Sequence, residues 1–316
     1  MSADLNAGVR VAGVASAVAP ARAERRWGDA PERHLVAGTF LLPATALFTV
    51  FVVLPMLEAG WYSFYRWNGY GSPTDWVGWR NYATLFRNQV FAQAAWNTAL
   101  IVAVSLLLQL PLALGLSLLV WERSRSSLLF RTVFFLPYVL GEVAAGLIWR
   151  FMFDGNVGLV TPAARALGFD PPYILADPDL AIYAILVVVV WKYFGFHMMI
   201  YVAGLQDIPR ELREAAVIDG ATPWQLTRRV VLPLLWPALR ISIFFAVVGA
   251  LQLFDVVMPL TGGGPSNATH TLVSFEFTFG ITRGNIGFGS AVGVVLFLAC
   301  VGFTLVYRRF VLRDGA

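Results

Sequence analysis

The sequence predicts an all-α integral membrane protein with six transmembrane helices. Three observations carry that prediction. Of 316 residues, 58% are hydrophobic and only 13% charged, where a soluble domain carries about 25% charge. Six apolar runs each reach the roughly 20 residues needed to cross the hydrocarbon core as a helix. The basic residues between those runs fall mainly on one side of the membrane when the runs are threaded in order.

Residues 1–34 precede the first run. Their stretch "VRVAGVASAVAPARA" has an arginine, small apolar residues and an Ala-x-Ala end, the outline of a signal peptide. It lacks Leu and Phe, and the first span can itself direct insertion, so it is read as a disordered, Ala-rich cytoplasmic tail. The spans follow at Leu35 to Tyr62, Thr98 to Trp121, Leu128 to Phe153, Leu180 to Leu205, Pro237 to Leu260 and Ile286 to Phe310, with a tail at 311–316. Strands of a barrel would be about half as long and would alternate. Pro43, Pro55, Pro111 and Pro137 lie inside spans, where neighbouring helices can satisfy the freed carbonyls.

Orientation comes from the arginines. The N-terminal tail, the turn holding Arg123 and Arg125, the segment after span 4 and the C-terminal end carry sixteen; the opposite side carries six. Both termini are therefore expected in the cytoplasm. The basic residues are parcelled into short loops instead of a stripe, which argues against nucleic acid as a partner despite a net charge of +4. The only cysteine, Cys300, sits in an apolar run, so there is no disulfide framework and no Cys-based metal site. No internal repeat is visible, which weakens a secondary-carrier reading.

The longest cytoplasmic loop, 207–236, reads as two short helices. Pro209 opens the first, over Arg210 to Ile218, with Leu212, Ala215, Ala216 and Ile218 as a narrow face of small and apolar side chains. Gly220 suits a left-handed helix C-cap, and Asp219 can bond nearby amides. Thr222-Pro223 signals a new helix start, with a second helix over Gln225 to Val231 that Leu232-Pro233 ends.

Within this loop Glu214-Ala215-Ala216 is followed by three residues, Gly220, nine residues, Val230, one residue and Leu232-Pro233. The pattern resembles the signature cytoplasmic loop of bacterial ABC importer permeases, with Val230 where Ile is usual. "LLPATALFTVFVVLPMLEAGWYSFYRW", "FRTVFFLPYVLGEVAAGLIWRFMF", "AGLQDIP" and "FDVVMPLTGGGPSNAT" extend the likeness over all but the extreme N-terminus, toward first permeases of carbohydrate importers of the maltose and glycerol-3-phosphate type. The resemblance implies a type I ABC importer permease fold in the bacterial inner membrane. It implies a second, related permease, two cytoplasmic ATPase subunits that bind ATP and Mg, and an external solute-binding protein. It also implies that Glu214, Ala215, Ala216, Asp219 and Gly220 dock on the ATPase. The chain has no phosphate-binding Gly-x-x-x-x-Gly-Lys-Ser/Thr loop of its own, binds no cofactor, and is expected to be a transporter subunit and no enzyme.

Ionisable groups inside spans are functional candidates by default. Lys192 and Glu142, near the middles of spans 4 and 3, are expected to pair or to line a watery path. His197 is read mainly as packing. Gln252 and Asp255, three apart, are expected to share one face of span 5 with Gly249. Trp191, Tyr138, Gln252 and Asp255 are the candidate substrate path, with Trp191 and Tyr138 supplying aromatic surface for a sugar. "LTGGGPSNATHT", Leu260 to Thr271, is an external segment, either a flexible connector or a loop that touches the binding protein or caps the path. Two further classes stay open: a carrier driven by an ion gradient, with Lys192, Glu142 and Asp255 as relay, and a non-transporting membrane scaffold.

Overall fold

The computed structural model describes residues 30–311 except 123, 167 and 169–172. The expected tail at 1–34 lies outside the described residues through position 29, as do 312–316 of the C-terminal tail, and helix already begins at Ala30. The chain divides into two compact units, Met1–Met56 and Leu57–Ala316.

Among the described residues four helices are long and apolar enough to cross a membrane: α1 (Gly38–Tyr62, continuing the helix that begins at Ala30), α3 (Gln89–Val120), α7 (Ala181–Gln206) and α13 (Ile286–Phe310), with mean hydropathy from 1.8 to 2.4. The count reaches the expected six when two bent pairs are each one span. These are α4 (Arg125–Val139) with α5 (Glu142–Met152), bent by 95°, and α9 (Pro223–Leu234) with α10 (Trp236–Leu251), bent by 66°. Shorter helices are α2 (Arg80–Arg87), α6 (Val160–Ala166), α8 (Arg210–Ile218), α11 (Val257–Leu260) and α12 (Leu272–Thr282). Among the described residues the fold departs from all-α at one small hairpin, β1 (Tyr65–Arg66) against β2 (Asp75–Trp76), with Tyr65 opposite Trp76 and Arg66 opposite Asp75.

Pro43 and Pro137 lie within regular α-helix, whereas three other prolines follow wide turns. Five-residue π segments at Thr49–Val53, Ser105–Gln109 and Thr227–Val231 each end two residues before a proline, at Pro55, Pro111 and Pro233. Proline lacks an N–H and its ring crowds the carbonyl four residues back; one extra residue in that turn relieves the clash.

The middle of the second unit is α7, which packs on α3, α4, α5 and α10. Its closest approach is to α4. A Cβ on Gly195 would stand 2.0 Å from the Phe134 carbonyl oxygen, so only glycine lets the two backbones meet there. One apolar cluster joins Ile101, Ile185, Val189, Leu253 and Val256; another joins Ala113, Tyr201, Leu205, Val231 and Leu235. Helix ends are closed by specific side chains. The Asn88 side-chain Oδ1 accepts from the amides of Val90 and Phe91 at the start of α3. At the far end of α3, Arg131 donates to the carbonyls of Val120 and Glu122.

Span 5 ends earlier than expected. Helix α10 stops at Leu251, and the expected continuation to Leu260 is a turn followed by the single turn of α11. The Thr271 hydroxyl donates to the Leu253 carbonyl at 2.7 Å and gives it a partner outside any helix. The segment after it is no flexible connector. Thr269, His270 and Thr271 are fully buried, the Thr269 hydroxyl donates to the Gly264 carbonyl at 2.7 Å, and Asn97 donates to the carbonyls of Ala268 and His270. Helix α12, packed along α13, is an element the sequence reading did not anticipate.

Candidate functional site

Two places combine exposed or cavity-facing polar groups with defined geometry. The first is the α8–α9 turn. Helix α8 ends where the Asp219 amide donates to the Ala215 carbonyl and the Gly220 amide to that of Val217. Gly220 has φ +80, the left-handed conformation that glycine adopts without a steric cost. Thr222 then caps α9 through a reciprocal pair: its hydroxyl accepts from the Gln225 amide at 3.3 Å, and its own amide donates to the Gln225 side chain at 2.8 Å. Pro223 occupies the first helical position. The second helix thus starts two residues before the expected Gln225 and runs past Val231.

No residue of α8 is buried. Glu214, Ala215, Asp219 and Gly220 are exposed and Ala216 is half-buried, so the Glu-Ala-Ala segment and its glycine form one open edge. Val217, Ile218 and Trp224 are also exposed, at 58%, 85% and 68%. Such bare apolar side chains on a charged hairpin are the composition of a docking surface. Beside α8 lies an open groove of about 940 Å³ bounded by Trp121, Ile208, Arg213, Glu214 and Leu226. The Arg213 guanidinium stacks over the Trp121 ring at 4.4 Å, fixing the hairpin to the end of α3.

The second place is a cavity of about 390 Å³ between α3, α4, α7 and α10. The break in span 3 and the C-terminal end of α10 both lie at its wall. Tyr138 and Glu142 come from the two sides of the α4–α5 break, and Gln252 and Asp255 from the turn after α10. The Tyr193 hydroxyl donates to Glu142 at 2.8 Å. Tyr138 stacks on Phe196 with centroids 4.8 Å apart, and Phe245 meets Phe196 edge-on at 5.8 Å. The lining therefore offers carboxylates, phenols, amides and an aromatic face, the groups that bind a polyhydroxylated solute.

Three of the four expected path residues, Tyr138, Gln252 and Asp255, share this cavity. Gln252 and Asp255 do so without sharing a helix face, because the helix has already ended at Leu251. Trp191 stands apart from it, edge-on to Trp149 at 5.3 Å. Lys192 forms no ion pair with Glu142. Its ammonium donates to the Leu140 carbonyl at 2.6 Å and lies 3.5 Å from those of Pro137 and Tyr138, so it closes the end of α4 at the break. His197 borders the cavity, and its Nδ1 bonds the Ser242 hydroxyl at 2.6 Å. Sequence reasoning missed Gln109, Ser105 and Tyr193 as lining groups. A Ser and a Gln four apart on an otherwise apolar span were the available signal for the first two.

Outside the spans, Asp154 sits in the turn after α5. The amides of Val157 and Asn156 donate to its carboxylate and hold it below the usual carboxyl range.

Residues 109–313 match the family described as binding-protein-dependent transport system inner membrane component. The sulfoquinovosyl glycerol transport system permease protein SmoG of Agrobacterium fabrum is 33% identical over 287 residues, covering 90% of this chain and 93% of that protein. The trehalose/maltose transport system permease protein MalF of Thermococcus litoralis is 32% identical, covering 85% and 91%. Among solved structures, a chain of a bacterial ABC transporter involved in the import of the acidic polysaccharide alginate superposes with a TM-score of 0.77 at 23% identity, over 88% of this chain and 97% of that one.

Proposed function

The chain belongs to the binding-protein-dependent transport system inner membrane component family, and from that premise we propose that it is one permease subunit of an ATP-driven importer of sugars or oligosaccharides. It pairs with a second, related permease to enclose the path. It takes solute from an external binding protein and is driven by two ATPase subunits, which bind ATP and Mg; this chain binds no cofactor and catalyses no reaction. Both termini and the α8–α9 hairpin lie in the cytoplasm.

The observation that carries this reading is the continuity between the exposed hairpin and the cavity wall. Helix α7 leads into α8, and α9 leads into α10 across one bend. Both α7 and α10 line the cavity. A force applied at Glu214, Ala215, Ala216, Asp219 and Gly220 by a closing ATPase would therefore reach Tyr193 through one helix and Gln252 and Asp255 through the other. Alternating access then follows as the two helices tilt together and the break at Leu140 and the turn after α10 open or close the chamber. An ion-driven relay through Lys192, Glu142 and Asp255 is disfavoured, because the Lys192 ammonium is committed to backbone carbonyls.

Uptake into proteoliposomes holding both permeases and the ATPase tests the reading. Solute should enter only with the loaded binding protein outside and ATP on the ATPase side. Entry driven by an ion gradient without ATP would overturn it.

A further inference from the structure

The proposed importer leaves its solute undefined, and the charge of the cavity narrows it. Glu142 and Asp255 both line the chamber, and no lysine or arginine does. The one lysine of the chain is close by, yet it is 1% exposed and its ammonium points into the carbonyls of Pro137, Tyr138 and Leu140. The one imidazole on the wall turns its Nδ1 to Ser242. Of the two carboxylates, Glu142 accepts a hydrogen bond from Tyr193, and neither forms an ion pair among the described residues. The buried Lys192 ammonium offsets part of the Glu142 charge from outside the lining, so an anion entering this space meets a net like charge in a medium that screens it far less than water.

The remaining lining suits a different solute. The Tyr138–Phe196 stack offers a flat apolar face, and Gln109 and Gln252 offer amide donors and acceptors. Carboxylates accept hydrogen bonds from hydroxyl groups, and those bonds are stronger than neutral ones. We infer that the cavity formed by α3, α4, α7 and α10 admits uncharged polyhydroxylated solutes and rejects anionic ones, with Glu142 and Asp255 as the residues that discriminate. This inference rests on the permease reading above, and it concerns the part of the path that this chain supplies.

The test uses the purified complex of both permeases with the ATPase, in nanodiscs and without binding protein, so that selection by the binding protein is removed. Binding is measured for maltose, trehalose and cellobiose, and for each of these carrying a 6′-phosphate. The neutral member of at least one pair should bind ten-fold or more tightly than its phosphate. In the Glu142→Gln/Asp255→Asn double variant that ratio should fall at least five-fold. Equal or tighter binding of the phosphates by the unmodified complex, or an unchanged ratio in the variant, would overturn the inference. Binding of neither series would also overturn it, provided the same complex hydrolyses ATP in response to its loaded binding protein. Failure of that ATPase response would instead count against the importer reading.

Discussion

The Lys192 ammonium donates to the Leu140 carbonyl at 2.6 Å, so the single lysine of the chain closes the helix end at which span 3 breaks. Helix termini leave carbonyls without intrahelical partners, and in lipid there is no water to take their place. The ammonium also stands 5.6 Å from the Tyr193 ring and 6.0 Å from that of Tyr138, which places two aromatic faces around the charge. Removing it by Lys192→Met should destabilise the protein by about 2 kcal/mol or more, the cost of leaving buried carbonyls without a charged donor. Thermal unfolding of the detergent-solubilised complex reads this; an unchanged midpoint would show that the break closes without the lysine.

The contact between α7 and α4 should be intolerant of bulk. Gly195→Val places side-chain atoms where the Phe134 carbonyl already lies 2.0 Å from a Cβ. Overpacking of this kind costs about 1–3 kcal/mol and more where backbone must move. The expected outcome is sharply reduced yield of folded complex on size exclusion, whereas Gly249→Ala, with open space around its Cβ position, should fold normally.

The segment between α11 and α12 should depend on one side chain. Asn97, 1% exposed, donates to the carbonyls of Ala268 and His270 at 2.7 and 2.9 Å. Asn97→Ala leaves both without that donor and should cost about 2 kcal/mol. Hydrogen exchange of the Thr269 and Thr271 amides should rise in the variant, and equal protection would contradict the assignment.

The hairpin should owe part of its rigidity to the Thr222–Gln225 capping pair. Thr222→Ala should destabilise the start of α9 by about 1 kcal/mol, which corresponds to roughly five-fold faster exchange of the Gln225 amide. A smaller drop in ATP-driven uptake should accompany it.

Much of this molecule was legible in its sequence because the signals were local. Gly220 and Thr222-Pro223 specify a helix end and a helix start within four residues, and the structure places both there. Apolar run length gave the spans. What escaped was set at a distance. Past the end of α10 at Leu251, the Leu253 carbonyl takes its partner from a threonine hydroxyl 18 residues further on, so a helical period carried through Gln252 and Asp255 had nothing local to stop it. Helix α12 is 11 residues long and interrupted by Glu276 and Gly280, too short to register as a span and too apolar to read as a loop. The Lys192 contact joins residues 52 positions apart, and two opposite charges on adjacent spans suggested a pair that the geometry does not form. The aromatic type of Trp191 suits a sugar path, but its helical position turns it toward Trp149 instead of the cavity.

The most direct test of the account is ATP-driven uptake by the assembled transporter carrying Gly220→Pro. Proline cannot adopt φ +80 and removes the amide that donates to Val217, so α8 loses its C-cap while the spans are untouched. The expected outcome is a complex that assembles with its usual thermal midpoint and has lost nearly all uptake. Uptake equal to that of the unmodified complex would contradict the claim that this hairpin transmits the ATPase stroke to the cavity.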